Sequence, residues 1–408
     1  MTRTVIVGGS VGGVKAAQAL RSGDFDGEIV IVEQENLAYP YDKPPLSKAH
    51  LVSDTGTDGV PLVSEDELSA LGVTWRSGTA ASGLEIASKE IVLADGERLS
   101  YDDLIIATGA RARPSPWGDG PRIHLLRTSA DAARLRAVLH ATRRLVVVGG
   151  GFIGAEVAAT ARSIGAEVTI VDPHPAPMSR ALNEEIGQIF ADKHAAEGVK
   201  MLFATGVEGI EDDGTRALVS LSNGERIEAD AVLVGIGAVV NTEWLEDSGL
   251  VIDNGVVTDD HLRAVGADDI HVIGDVCRWQ HSDGTGSTRL EHWTSAADQA
   301  RLVAHNVLSP ENARSYDPVE YVWSDQYDWR IQIVGRTGVT DSQLLGDPAD
   351  DRFAVAYSED GVHLTGAVVV NWPRALISAR RAVQNHENAA EFRASLERML
   401  AVPVASAL

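Results

Sequence analysis

The sequence predicts an α/β chain with two Rossmann-like dinucleotide-binding units and a separate C-terminal α+β domain, and three observations lead there. First, VIVGGSVGGVKAAQALRS near the N-terminus is echoed by VVVGGGFIGAEVAATARS from Val146. This is an internal repeat of an apolar β-branched strand, a glycine turn and an alanine-rich helix. Second, each copy runs on into another strand that ends in an acid, EIVIVE at Glu33 and EVTIVD at Asp172, which completes a βαβ unit twice over. Third, beyond Pro310 the pattern changes to aromatic and strand-like runs, VEYVWSDQY, WRIQIVG, RFAVAYSED and VHLTGAVVV, with one or two terminal helices.

The glycine turns come next in the argument. In the second repeat Gly149, Gly151 and Gly154 fill all three positions of a GxGxxG turn. In the first, Gly8 and Gly13 hold the outer positions, Ser10 stands in the middle, and Gly12 precedes the third. The first glycine of such a turn makes the bend, the second lets the backbone approach a pyrophosphate, and the third lets helix and strand pack closely. The helix N-terminus then faces the phosphate charge. An acid about twenty residues on accepts hydrogen bonds from the adenosine ribose hydroxyls, a role that falls to Glu33 and Asp172. A 2'-phosphate would be repelled by that carboxylate, so Asp172 predicts NADH over NADPH. The other reading of Asp172 is a solvated strand-end acid or turn residue ahead of Pro173.

Short alternating strands, IVLADGERLSYDDL and ALVSLSNGERIEADAVLVGIG, read as antiparallel meanders that close each unit. Each leads to a strand running into glycine: LIIATG brings Thr108 and Gly109, and VLVGIG brings Gly237. A third strand of this type, DIHVIGD, ends at Asp275 and precedes a helical stretch over about residues 293–308.

Composition bounds the rest. At 408 residues the chain exceeds the roughly 250–300 at which one core stops growing, so two or three domains are expected. The single cysteine, Cys277, excludes a disulfide framework, a cysteine zinc site, an iron-sulfur cluster of the chain's own and an internal dithiol relay. It reads as a buried small hydrophobe, and no metal site is expected. Net charge is -24, from 59 acids against 35 bases, which argues against nucleic-acid binding. MTRTVIVGG runs straight into a strand pattern with no signal core. The longest apolar stretch, 231–240, is about half of what crosses a bilayer. A cytoplasmic, soluble protein with no membrane partner is therefore expected, and a monomer, since nothing marks a large exposed apolar face.

At PYDKPPLSK, residues 40–48, the chain resembles the FAD-dependent NADH:ferredoxin reductases of bacterial oxygenase systems, of the putidaredoxin reductase and biphenyl dioxygenase ferredoxin reductase type. The likeness covers nearly the whole sequence: ATGARARP from Ala107, LRT at Leu126, IGD at Ile273, RLEHWTSAADQA from Arg289, WSDQY from Trp323 and NWPR from Asn371. It implies a split FAD-binding domain over 1–112 and 243–312, an inserted NAD-binding domain over 113–242, and a C-terminal interface domain over 313–408. By position it implies that Pro45 and Lys48 line the flavin ring, that Arg127 contacts the FAD phosphates and that Asp275 holds the ribityl chain. Trp293 would present its backbone to the pyrimidine edge. Glu156 would lie near the nicotinamide and approach Lys48, and a cation near flavin N5 stabilises the reduced, anionic ring. The plainer readings are an exposed helix lysine for Lys48 and a first-turn acid on the helix dipole for Glu156. Trp323 reads equally as a flavin-side residue or a core aromatic, Trp329 as a core aromatic, and His292 as a packed histidine.

The resemblance further implies hydride transfer from NADH to FAD, then single electrons to a small two-iron ferredoxin that feeds a monooxygenase or dioxygenase. Docking on an acidic partner would need a local basic cluster, for which Arg301, Arg314, Arg330, Arg374, Arg380 and Arg381 are the candidates. Disulfide reductases of similar layout need a cysteine pair, and NADH oxidases a cysteine near PPLSK; residues 39–50 hold none. A rubredoxin as acceptor, or a redox-dependent binding protein like apoptosis-inducing factor, are the remaining alternatives.

Overall fold

Runs of β-branched and aliphatic residues pair in parallel to form the centre of each half of the molecule. In the computed structural model, which describes residues 2–53, 59–141, 143–282, 284, 286–339 and 341–401, the chain divides into two packed units. One comprises Met1–Lys43, Asp58–Arg111 and Ala238–Pro318; the other comprises Pro44–Thr57, Ala112–Gly237 and Val319–Leu408. Among the described residues no helix is long and apolar enough to cross a membrane.

The first unit is built on a parallel sheet with strands in the order Ile270–Val272, Asp103–Ile106, Arg3–Val7, Glu28–Glu33, Thr74–Ser77. The N-terminal strand is central, with Val5 opposite both Val30 and Leu104. A parallel sheet covered on both faces needs continuous apolar strands, and Val5, Ile6, Ile29, Ile31, Leu104, Ile105 and Ile106 are all buried. The helix Val11–Ser22 packs along Trp293–Leu308. Their small buried residues Ala16, Ala17, Ala300 and Ala304 permit the close approach. The expected meander forms from Ala81–Glu85, Glu90–Leu93 and Arg98–Ser100. Cys277 lies in this core, fully buried, and burial pushes its thiol up to about 12, so it behaves as a small apolar side chain.

The second unit repeats the plan. Its parallel sheet runs Ile123–His124, Ala231–Val234, Arg144–Val148, Glu167–Val171, Lys200–Leu202, beside a meander of Val207–Asp212, Ala217–Leu221 and Arg226–Ala229. The C-terminal residues add an antiparallel sheet in the order Tyr321–Gln326, Trp329–Gly335, Gly366–Val370, Arg352–Ser358, Asp341–Asp347. Helices Pro373–Gln384 and Ala389–Ala401 cover one face through Ala375, Ala379, Ala382, Phe392 and Leu396.

The other face of that sheet shares a core with the helix Glu184–Ala196 and the loop before it: Met178, Leu182, Ile186 and Phe190 pack with Trp329, Ile331, Phe353 and Tyr357. Trp329 sits edge-on to Phe190 and Phe353 at 5.5 and 5.2 Å, with its indole N–H on Asp351 Oδ1. It is a core aromatic. The C-terminal sheet is thereby packed into the second unit through a joint core, and the described residues 44–53 belong to the same unit.

Phe190 is the centre of this joint core, so Phe190→Ala is expected to cost about 3–5 kcal/mol. The measurement is urea denaturation followed by intrinsic tryptophan fluorescence; an unchanged midpoint would show that helix and sheet do not depend on one another.

Candidate functional site

Two cradles follow directly from the repeats. Gly8 and Gly149 turn the chain with φ of +112° and +107°, and a Cβ on either would meet a backbone oxygen, Ala107 O at 2.2 Å or Gly235 O at 2.4 Å. Gly13 and Gly154 bring helix onto strand, since a Cβ there would lie 2.0 Å from the carbonyl of Gly8 or Gly149. The middle glycine is different: Gly151 has an ordinary extended φ of -72°, and nothing lies within 4 Å of where its Cβ would be. Ser10, at the same point of the first turn, has φ of -86°. Glycine at the middle position is thus a matter of open space, not backbone strain, and serine adopts the same conformation. Neither helix that follows is capped by a side chain, which leaves its N-terminus suited to an anion. Gly12 packs against Ile273 and Ala107.

The acids close the turns from the next strand. Glu33 Oε2 accepts from the Gly9 amide at 2.8 Å and its Oε1 from the Glu35 amide at 2.9 Å. Asp172 Oδ2 accepts from the Gly150 amide at 2.6 Å, and its Oδ1 from the His174 amide and Nδ1 at 2.8 and 2.7 Å. Asp172 is therefore a buried acid holding the turn, not a solvated strand-end residue. An aromatic packs behind each turn: a Cβ on Gly9 would meet Trp75 at 2.4 Å and one on Gly150 would meet Phe203 at 2.9 Å. Sequence reasoning missed both, though each stands in or just after the strand next to the one bearing the acid.

The other candidates divide between the units. In the first, Thr108 and Asn241 exchange hydrogen bonds with each other's carbonyls at 2.9 and 2.8 Å, and Gly109 has φ of +63°. Asp275 lies in the 3-10 turn Gly274–Val276, whose Gly274 amide donates to Gln299 at 2.7 Å. Trp293 opens its helix, with its indole N–H on Asp42 at 2.8 Å. All follow the carboxyl ends of parallel strands or face that edge, where α/β sheets bind ligands. In the second, Gly237 has φ of +107° beside the Arg180 guanidinium, and Arg127 is half-buried ahead of the helix Ser129–Ala141.

Pro45, Lys48 and Glu156 also meet in the second unit. Pro45 belongs to the 3-10 turn Pro44–Ser47, and Lys48 follows it outside any helix, half-buried, with its ammonium 2.7 Å from Glu156 Oε2. Lys48 is therefore not an exposed helix lysine. Glu156 is the fifth residue of the helix Phe152–Ser163 and lies beyond its first turn, where the dipole no longer accounts for it. It is 4% exposed, and its donors are side chains: Lys48 and Ser47 on Oε2, Ser324 on Oε1 at 2.7 Å. Ser47 and Ser324 were not singled out by the sequence; they come from a turn and a strand far apart in the chain. Trp323 is half-buried and stacks on Tyr321, with Arg380 5.0 Å above the Tyr321 ring. The residues fit two dinucleotides, with uncapped helix N-termini at both turns, open space beside Gly151 and a strand-end carboxylate at each turn.

A protein with two such cradles is of the class that holds two dinucleotides. Residues 2–300 match the family model of pyridine nucleotide-disulphide oxidoreductases and 321–396 match that of the reductase C-terminal domain. Rhodocoxin reductase of Rhodococcus erythropolis is 37% identical over 92% of this chain and 88% of its own. The anthranilate 1,2-dioxygenase system ferredoxin–NAD(+) reductase component of Burkholderia cepacia is 36% identical over 93% of both. The crystal structure of the covalent putidaredoxin reductase–putidaredoxin complex superposes with a TM-score of 0.90 at 30% identity, over 98% of both chains. The chain belongs to the pyridine nucleotide-disulphide oxidoreductase family, in its ferredoxin reductase branch. With one buried cysteine it has no dithiol of the kind the family name refers to.

The two outer and middle glycines are expected to respond differently. Gly149→Ala should lower the melting temperature because its Cβ meets backbone. Gly151→Ala should fold normally yet bind NADH roughly tenfold more weakly, a loss of about 1.4 kcal/mol. Thermal unfolding and NADH titration of both variants decide it; equal effects of the two would refute the distinction.

Proposed function

We propose that this chain is an FAD-dependent NADH:ferredoxin oxidoreductase, passing hydride from NADH to FAD and then single electrons to a two-iron ferredoxin that serves an oxygenase. The observation that carries the reading is the full-length likeness to ferredoxin–NAD(+) reductases, together with two glycine turns each closed by a buried acid. FAD, when bound, supplies the exchange between two-electron and one-electron chemistry. The chain's part is to bind and orient. The first turn and Glu33 take the FAD pyrophosphate and ribose, aided by Ser10, Gly12, Thr108, Gly109, Asp275, Trp293 and Arg127; the second turn, Asp172 and Gly237 take NADH. Lys48 supplies positive charge where electron density arrives, and Glu156 fixes Lys48. Domains follow the same reading: 1–112 with 243–312 for FAD, 113–242 for NADH, and 313–408 for the partner. We place the protein in the cytoplasm as a monomer.

The docking candidates are narrowed by pairing. Arg301, Arg330 and Arg381 already face Asp298, Asp325 and Glu387. On the helix Pro373–Gln384, Arg374 and Arg381 share an exposed face with Ile377, which is 71% exposed. A single apolar side chain flanked by two arginines, of which Arg381 is paired with Glu387, suits an acidic partner with a small apolar contact. Arg380 stands beside this face, over Tyr321. Arg314 lies in the first unit.

Anaerobic stopped-flow with NADH and NADPH in parallel tests the reaction: flavin bleaching is expected at least tenfold more efficient with NADH, because the carboxylate of Asp172 repels a 2'-phosphate. Equal rates with both would remove Asp172 from its role. For docking, Arg374→Glu is expected to slow reduction of ferredoxin several-fold and to flatten its salt dependence, leaving NADH-ferricyanide turnover unchanged. A ferredoxin rate that keeps its wild-type salt dependence would exclude this helix from the interface.

A further inference from the structure

Behind the Glu156 carboxylate lies a line of polar side chains in an otherwise apolar core. Ser324, Gln326 and His194 are 0%, 2% and 1% exposed. Ser324 Oγ is 2.7 Å from Glu156 Oε1, Gln326 Nε2 is 3.1 Å from Ser324 Oγ, His194 Nε2 is 3.0 Å from Gln326 Oε1, and Tyr327 Oη is 2.8 Å from His194 Nδ1. Gln326 Nε2 has a second contact, Met178 Sδ at 3.7 Å. The line thus runs from the helix after the second glycine turn, through the first strand of the C-terminal sheet, to the helix Glu184–Ala196 and the tight turn at Tyr327. Burying four polar groups costs more than burying apolar ones of the same size unless every bond is made. Here every link is made.

The order of protons along the line follows from its end. A carboxylate only accepts, so the Ser324 hydroxyl donates to it. The Ser324 oxygen is then left to accept from the amide N–H of Gln326, which turns the amide oxygen toward His194. That oxygen needs an N–H, so Nε2 of His194 carries the proton. A neutral imidazole has one, so Nδ1 is bare and accepts from the Tyr327 hydroxyl. Burial supports this state at both ends: it pushes His194 down to about 4, with Lys193 of its own helix and Glu197 just past that helix as the nearby charges, and holds the Tyr327 phenol protonated. All four donors point the same way, toward Glu156. Tyr327 itself has φ of +55°, a conformation unfavourable to an aromatic residue, and its hydroxyl bond to His194 helps fix that turn.

We propose that Ser324, Gln326 and His194 are positioning residues for hydride transfer, a one-directional hydrogen-bond chain that fixes the Glu156 carboxylate against Lys48. The inference rests on the reading of Glu156 beside the nicotinamide, and adds that the C-terminal sheet sets its geometry. The carboxylate has two oxygens; Ser47 and Lys48 hold one, and among the described residues Ser324 alone holds the other. Removing Ser324 frees the carboxylate to rotate, while the glycine turn and Asp172 that bind NADH are untouched.

The test uses the FAD-loaded protein and the variants Ser324→Ala, Gln326→Leu, their double, Tyr327→Phe and Glu156→Gln. Ser324→Ala and Gln326→Leu are each expected to slow flavin bleaching at saturating NADH by roughly tenfold, with the NADH dissociation constant unchanged. The double variant should be no slower than Ser324→Ala, because the links act in series. Independently of turnover, side-chain 15N NMR should show His194 as the neutral Nε2–H tautomer from pH 8 to pH 5, and Tyr327→Phe, which deletes only a hydroxyl at the far end, should leave that tautomer in place, because the proton order is set from Glu156. Wild-type bleaching in Ser324→Ala with slow bleaching in Glu156→Gln overturns the chain and leaves Glu156 in place. Wild-type bleaching in Glu156→Gln overturns both. Multiplying effects in the double variant, or an Nδ1–H tautomer, also overturn the chain, and the NMR result stands even if Ser324→Ala fails to fold.

Discussion

A carboxylate at the end of one parallel strand accepting the amide hydrogen of the glycine turn at the end of its neighbour is the interaction on which both halves of this protein depend. Glu33 does this to Gly9 and Asp172 to Gly150. The bond is short, buried and charge-assisted, and a charge-assisted bond in such a place is worth about 1.5–3 kcal/mol. It also explains why the flanking glycines are needed: with the turn pulled onto the next strand, the chain at Gly8 and Gly149 passes within 2.2 and 2.4 Å of a Cβ's reach of backbone oxygen. On the function proposed above, the same acid would have one task in the fold and another toward a ribose.

The second constraint is the joint core between the helix Glu184–Ala196 and the C-terminal sheet. Trp329 meets Phe190 and Phe353 edge to face, so the sheet is held to the second nucleotide-type unit by packing rather than by a linker. Only with the sheet fixed in that way can Ser324 reach the carboxylate of Glu156 across 168 residues of sequence. A buried ion pair such as Lys48 with Glu156 is costly unless its remaining valences are filled. The two serines fill those of Glu156, and the Pro44 carbonyl accepts from the Lys48 ammonium at 3.2 Å.

Much of this was legible in the residues. The repeat gave both turns because strand, glycine spacing and strand-end acid are local patterns whose physics does not depend on distant contacts. The helix at Trp293–Leu308 and four of the five strands of the C-terminal sheet were likewise readable from periodicity; the mostly polar edge strand Asp341–Asp347 was not. The environment of Glu156 was legible only in its approach to Lys48, which the family resemblance implied. Spacing put it near a helix start, and the structure puts it just past the first turn, where Ser47 and Ser324 join Lys48 on its carboxylate. Trp75 and Phe203 were missed for a related reason, since an aromatic behind a turn is defined by strand order and not by spacing along the chain.

The sequence by itself determined the two βαβ units, the acids that close them and the absence of cysteine chemistry, because each depends on composition or on contacts within about thirty residues. Tertiary structure alone decided that Lys48 is half-buried, that Ser10 and Gly151 share one backbone conformation, and that a serine, a glutamine and a histidine line up on one carboxylate. The physical reason is that a buried polar group is specified by the partners that satisfy it, and those partners are brought together only when separate elements pack.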